Sequence, residues 1–352
     1  MYKFLIRPLL FCFNAETAHN ITFAMLSALR HIPFARKAVR AIFSPEIKGI
    51  SRTVFGLTFK NPVGLAGGLD KNGKYYNVLS DFGFSFIEIG SLTPEPQAGN
   101  PKPRLFRVIQ DRAIINRMGI NNKGVQNAVA YLKRYGKETI VAANISKNAV
   151  TPNEDAARDY EKAFVAMYEH VDMFVINVSC PNVTGLTNLQ DVSFLSGITD
   201  RLISIRSSMD KYRPILIKLS PDVEYQQVDN ILEYAMKAGI DGVVAGNTTR
   251  SREGLTVGKN RIALIGNGGM SGAPLYSKNL ALVRHISQKT EGRLPIIGVG
   301  GIMSPEQAKE MLDAGASLIE IYSGFIFEGP GLVKRINRHL GRLATGNNIT
   351  EN

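Results

Sequence analysis

Cysteine is nearly absent from this 352-residue chain: there are two, Cys12 and Cys180. Two residues cannot staple a disulfide-framed fold, and such sparse use fits an intracellular, reducing compartment. No Cys/His cluster has the spacing of a metal site, so no metal is expected. No apolar run reaches the ~18–20 residues of a transmembrane helix. The early apolar stretch Leu9-Leu10-Phe11-Cys12-Phe13 is followed by no small-residue cleavage site, so no signal peptide is expected. Internal repeats and low-complexity tracts are missing. So is any RNA- or DNA-binding signature, and nucleic acid is not an expected partner.

Acid is scarce at one end of the chain. Residues 1–45 hold six Lys/Arg (Lys3, Arg7, Arg30, Arg36, Lys37, Arg40) against Glu16 alone, in a chain of net charge +12. A basic patch of this kind can meet nucleic acid, anionic lipid or an anionic substrate, and charge does not choose among them. In the same segment Phe4, Leu5, Pro8 and Leu9, then Ala18, Ile21, Met25 and Leu29, recur at helical spacing. Asn14 is a fitting N-cap for the second helix. The break at His31-Ile32-Pro33 ends that helix, and a third is expected over about Ala35 to Ile42. Short amphipathic helices with a basic face suit an anionic membrane surface. They equally suit a helical cap packed on a larger domain, and both readings stand open.

After Pro45 the pattern changes to short apolar runs, each ending in a polar or glycine cluster. They are Val63–Gly67, Phe86–Ser91, Thr139–Ser146, Met173–Ser179, Ile215–Ser220, Gly242–Thr248, Pro295–Gly301 and Leu318–Gly324. Most intervals carry a helical period, as in Tyr160–His170, Val228–Ala238 and Ser304–Ala314. Buried parallel strands read as unbroken Val/Ile/Leu-rich runs, and alternation with helices implies βαβ units. Eight such units predict an α/β fold, a (β/α)8 TIM barrel, preceded by the helical extension. A doubly wound sheet is the rival, but no Gly-x-Gly-x-x-Gly turn follows the first strand. The expected organisation is an extension over 1–45, a barrel over 46–340 and a flexible polar tail over 341–352. Two intervals, Leu92 to Asn122 and Arg250 to about Ser277, exceed a plain crossover. Such excursions at strand C-termini are where barrel enzymes build sites.

The residues at the strand C-termini form a polar set. They are Gly67, Gly68, Asp70 and Lys71, then Ser91, Asn144, Asn177, Ser179, Cys180, Lys218, Asn247, Thr248, Gly300, Gly301, Tyr322 and Ser323, with Asn116 and Asn182 from nearby loops. One such Asn reads as a turn cap. Several inward-facing amides are costly without partners, and together they suit a flat polar ligand of alternating donors and acceptors, such as a pyrimidine dione. Lys218 lies in the apolar strand Leu216-Ile217-Lys218-Leu219, so it needs an anion: a phosphate, a carboxylate or an anionic reduced flavin ring. The clusters Gly268-Gly269-Met270-Ser271-Gly272 and Gly298-Val299-Gly300-Gly301, with Tyr322-Ser323-Gly324, resemble a barrel phosphate site, for which FMN and sugar phosphates both qualify. Cys180, in Asn177-Val178-Ser179-Cys180-Pro181-Asn182, has no His beside it. A thiol at a strand end with a lowered pKa is a candidate general base.

From about Gly56 to Lys334 the chain resembles the dihydroorotate dehydrogenase family. The resemblance rests on Asn61-Pro62-Val63-Gly64-Leu65-Ala66-Gly67-Gly68-Leu69-Asp70-Lys71, Pro103-Arg104-Leu105-Phe106-Arg107, Asn116-Arg117-Met118-Gly119, Asn177 to Asn182, and Ile321-Tyr322-Ser323-Gly324. It implies FMN at the barrel mouth, held by Ala66, Gly67, Gly68, Ser91, Asn144, Asn177, Lys218 and Gly246, with its phosphate at Gly272, Gly301, Tyr322 and Ser323. It implies dihydroorotate, and its product orotate, held by Lys71, Asn116, Arg117, Met118, Gly119, Ile120, Asn177, Asn182, Asn247 and Thr248. Cys180 would remove the C5 proton while a hydride leaves C6 for the flavin.

The extension resembles that of the membrane-associated class 2, which reduces a membrane quinone, and His19 and Arg107 match quinone-site positions. An apolar route would be lined by Phe4, Leu5, Leu9, Phe13, Met25 and Leu26. The chain departs from that class at Cys180, where its members carry Ser and the soluble class 1 carries Cys. It departs also at Gly246 and Ser91, where Thr is usual, and at Ile120, where Phe is usual. A whole helical segment outweighs one side chain, so the expectation is quinone reduction in pyrimidine biosynthesis by a peripheral protein on the cytoplasmic face of a bacterial inner membrane. The alternatives are a class 1 enzyme using fumarate or NAD, a non-redox phosphate-binding barrel such as a lyase or isomerase, or a non-catalytic membrane-surface module.

Overall fold

Every barrel strand is a short run of apolar residues buried on both faces, and the chain closes them in sequence order with helices outside. The computed structural model describes residues 2–178 and 191–346. Among these, the barrel strands are β3 (Val63–Leu65), β4 (Phe86–Leu92), β7 (Ile140–Ile145), β8 (Met173–Asn177), β9 (Ile215–Leu219), β10 (Gly242–Ala245), β12 (Ile296–Val299) and β13 (Leu318–Ile321). All neighbouring pairs are parallel, and β13 pairs with β3 to close the ring. Seven strands lie within their expected runs and β4 passes its own by one residue, Leu92, so the TIM barrel read from the sequence is the fold.

A feature the sequence reading missed plugs the N-terminal end of the barrel. The hairpin β1 (Arg52–Val54) and β2 (Leu57–Phe59) turns at Phe55 and Gly56, which both adopt positive φ, 56° and 75°. Phe59 packs edge-on to Phe86, with ring centroids 5.3 Å apart. It shares a buried cluster with Ala142, Met173, Val175, Leu216, Val244, Ile297 and Leu318. These inward residues stack in layers, as barrel interiors do. The outward residues of the same strands form a separate, larger core with the helices, including Tyr160, Phe164, Ile231 and Val283.

The two long excursions meet each other. β5 (Leu105–Val108) and β6 (Ala113–Asn116) come from the first and β11 (Gly269–Gly272) from the second. They form one antiparallel sheet in the order β11-β6-β5 over the barrel mouth. A Cβ on Gly272 would lie 2.2 Å from the Arg112 carbonyl oxygen. Glycine is therefore demanded there by strand packing before any ligand is considered.

The extension folds as α1 (Arg7–Phe11), α2 (Ala15–Arg30) and α3 (Pro33–Phe43). The Asn14 side chain accepts the Thr17 N–H at 2.8 Å, the expected N-cap. Pro33 opens α3 at its first turn. Most of the basic side chains dock the extension rather than face outward together; Lys37 stays exposed. Arg36 and Arg40, one turn apart, clamp the fully buried Asp81 carboxylate at 2.7 and 2.5 Å and also reach Glu138. Arg30 stacks on Tyr135, and Lys3 pairs with Glu328. At the other end α4 (Gly331–Ala344) runs three residues past the expected start of the tail, with Gly341 buried against Ile47.

Candidate active site

One residue pattern builds the floor of the site. On six barrel strands or their ends, the residue two positions beyond the inner apolar layer is Glu88, Asn144, Asn177, Lys218, Gly246 or Glu320. Their predecessors are Phe86, Ala142, Val175, Leu216, Val244 and Leu318. Side chains two apart in a strand share a face, so a polar layer caps the apolar plug. Lys218 Nζ lies 2.7 Å from Glu88 Oε1 and 4.0 Å from Glu320 Oε2, and Asn144 Nδ2 donates to the same Glu88 oxygen at 2.6 Å. Lys218 thus has the carboxylate partner its apolar strand demanded. Glu88 and Glu320 were missed, although both sit in Ile-Glu-Ile settings as conspicuous as that of Lys218.

Above this floor opens a cavity of about 380 Å³. It brings together Ala66, Gly67, Gly68, Ser91, Asn144, Asn177, Lys218, Gly246, Gly272, Gly301, Tyr322 and Ser323, the expected cofactor set. Lys71, Asn116, Met118, Gly119, Ile120, Asn247 and Thr248 of the expected substrate set line it too. Asn177 Nδ2 donates to Ser91 Oγ at 2.7 Å, and Ser271 and Ser323 hydroxyls lie 2.9 Å apart. A Cβ on Gly301 would fall 2.5 Å from the Tyr276 backbone, so that glycine too answers to packing. Asn144 keeps its amide oxygen buried and without a partner.

Two expected site residues turn away. The Arg117 guanidinium reaches the Ile265 and Asn267 carbonyls and stacks on Phe106, tying the excursions together. Arg107 binds the Leu10 and Phe13 carbonyl oxygens and stacks on Phe11 at 4.3 Å, which secures the end of α1. Neither lines the cavity. Cys180 and Asn182 lie outside the described residues.

The extension roofs the cavity through Glu16, His19, Asn20 and Phe23 of α2. The expected apolar lining differs: Phe4, Leu5, Leu9, Phe13 and Met25 are exposed and Leu26 is buried in the core, while Phe23, edge-on to Tyr75 at 4.8 Å, faces the cavity. The reason is that Ala18 and Leu26 occupy the core-facing stripe of α2, which turns Met25 outward.

Charge in the upper cavity is set by burial. Asp70 accepts the Lys74 and Tyr75 N–H groups at 2.9 and 2.7 Å, shaping the turn that carries Lys71. Burial outweighs those bonds and lifts its carboxyl to about 6. Burial, with Arg104 adding repulsion, lowers the Lys71 ammonium to about 8, and Lys71 makes no ion pair among the described residues. Burial and then Lys71 push His19 down to about 3, so its imidazole is neutral at physiological pH. For Glu16, burial is opposed by the Arg104 hydrogen bond and charge, which hold the carboxyl below its usual range.

The model of the family described as dihydroorotate dehydrogenase matches residues 50–343. The chain belongs to the dihydroorotate dehydrogenase family. A Christiangramia forsetii relative described as dihydroorotate dehydrogenase (quinone) is 47% identical over 341 residues, 97% of this chain and 98% of its own. A Deinococcus deserti relative of the same description is 41% identical over 357 residues, 99% and 97% of the two chains. The ligand-free structure of the Eimeria tenella family member superposes with a TM-score of 0.82 at 30% identity, covering 96% of each chain. Membership in the dihydroorotate dehydrogenase family makes this chain a flavin-type oxidoreductase of TIM-barrel fold.

Proposed function

We propose that this protein oxidises dihydroorotate to orotate in pyrimidine biosynthesis, with FMN as hydride acceptor and a membrane quinone as final acceptor. The observation that carries this reading is the convergence of Lys71 with Asn116, Asn177 and Asn247 in one cavity, over a floor of Asn144 and Lys218 and under the roof of α2. A carboxylate-bearing pyrimidine needs such a set: one cation for the carboxylate and amides for the ring.

The residues fit a flavin. Asn144, with a buried and unpartnered amide oxygen, lines the cavity together with Lys218, and the Ser271 and Ser323 hydroxyls with Gly272 and Gly301 border the end suited to a phosphate. FMN, when bound, supplies the two-electron redox chemistry. The chain's own work is placement. Lys71 would neutralise the substrate carboxylate, and Asn116, Asn177 and Asn247 would orient the ring. Asp222, bonded to the Thr249 hydroxyl, the Arg250 N–H and Lys278, fixes the loop that carries Asn247 and Thr248. Cys180, three residues beyond Asn177 in sequence, takes the C5 proton; its thiolate is the required form.

A quinone would approach past α2, where the neutral His19 offers a hydrogen bond and Phe23 an apolar wall. The exposed Phe4, Leu5, Leu9, Ile32 and Phe34 give the extension an apolar outer surface. Because Lys3, Arg36 and Arg40 are engaged with the barrel, apolar insertion rather than anionic attraction is the stronger means of membrane contact. No helix among the described residues is long and apolar enough to cross a membrane. The reading is a peripheral protein on the cytoplasmic face of a bacterial inner membrane. Purified protein is expected to be yellow and to release FMN on denaturation; a colourless protein that takes up no FMN overturns the proposal.

A further inference from the structure

The polar floor holds one cation and two carboxyls, and all three are buried. Glu88 and Glu320 are 0% and 1% exposed, and Lys218 is 5% exposed. Glu88 Oε1 receives Lys218 at 2.7 Å and Asn144 at 2.6 Å. Glu320 has Lys218 only at 4.0 Å, and both of its oxygens, like Glu88 Oε2, lack a conventional donor. The two carboxyls thus flank one ammonium, Lys218, from 2.7 and 4.0 Å. Two adjacent carboxylates cannot both stay ionised in a dry site against a single ammonium.

We propose that Glu88 and Glu320 form a carboxyl–carboxylate pair sharing one proton, which makes the floor under the bound flavin electrically neutral together with Lys218. The proton resides mainly on Glu320, because Glu88 already has two strong donors on its Oε1. Burial and the neighbouring Glu88 raise Glu320 well above the usual carboxylate range, in the same direction. Lys218, Glu88 and Glu320 are the charged groups of this layer among the described residues. A reduced flavin carries added negative charge. A floor with two carboxylates would be net negative and oppose reduction, whereas the shared proton removes that penalty. These are positioning and charge-setting residues; the inference rests on the flavin reading.

The test is the midpoint potential of the bound flavin in holoenzyme variants. E320Q exchanges a neutral acid for a neutral amide, so the potential is expected to stay at the parent value. E88Q is expected to do the same, because Glu320 then releases its proton and becomes the counter-ion of Lys218. Only E88Q/E320Q leaves Lys218 uncompensated and shifts the potential positive. If both carboxyls were ionised, E320Q alone would shift it positive and the single shifts would add; that pattern overturns the proposal. An infrared measurement needs neither variant stability nor flavin. At about pH 8, where Asp70 is ionised (its carboxyl titrates at about 6), the protein is expected to show a protonated-carboxyl stretch that moves in D2O. Absence of the band overturns the pair even in protein that binds no flavin, whereas failure to bind flavin with the band present overturns only the functional reading.

Discussion

Lys71 makes a quantitative claim about pH. Burial brings its ammonium from the ordinary 10.5 to about 8, which corresponds to about 3 kcal/mol against the charged form at 1.36 kcal/mol per unit. A bound carboxylate relieves that penalty. Removing the ammonium deletes a hydrogen bond between charged groups, about 1.5–3 kcal/mol, so Lys71→Met is expected to weaken dihydroorotate and orotate binding roughly 10- to 150-fold. In the free enzyme kcat/KM for dihydroorotate should fall as pH rises through about 8, because that parameter reports free-enzyme ionisations. Lys71→Arg keeps its charge and should abolish this limb while retaining part of the affinity. The linkage sign is opposite for stability. The folded pKa lies below the unfolded one, so the unfolded chain holds the extra proton, and the contribution of Lys71 to ligand-free stability improves from about pH 8 to 10.5. Steady-state rates and flavin bleaching across pH are the assay. An alkaline limb that persists unchanged in Lys71→Arg would refute the assignment.

Cys180→Ser should retain some activity but shift the rising limb of the rate profile to higher pH, since a thiol ionises at about 8.5 and a hydroxyl far higher; an unchanged profile would mean that Cys180 is not the base. R36A/R40A leaves the Asp81 carboxylate buried and unpaired, so urea unfolding should show a loss of about 3–5 kcal/mol. A loss below about 1 kcal/mol would place the docking energy of α3 elsewhere. Substituting Phe4, Leu5 and Phe34 by Ser should release the protein from phosphatidylcholine vesicles, and salt should not. Binding that requires anionic lipid and dissolves in salt would restore the electrostatic reading.

The barrel was legible because each strand is an apolar run closed by a polar cluster, a signal that does not depend on long-range contacts. The β11-β6-β5 sheet was not, since β6 and β11 are about 150 residues apart and each is four residues long. Orientation was the other blind spot. Arg107 and Arg117 lie in the right segments, yet their guanidinia satisfy backbone carbonyls on the far side. The basic extension looked like a membrane face because its partners, Asp81, Glu138 and Glu328, are remote in sequence. Glu88 and Glu320 were readable in principle: the question raised by Lys218, which anion it faces, applied equally to two acids inside apolar strands.

The central claim is electron transfer from dihydroorotate through a bound flavin to a quinone. Anaerobic stopped-flow mixing tests it most directly. Dihydroorotate is expected to bleach the flavin absorbance in one phase, and a quinone is then expected to restore it faster than fumarate or NAD does. Flavin that dihydroorotate cannot bleach would contradict the account, and faster reoxidation by fumarate or NAD would contradict its choice of acceptor.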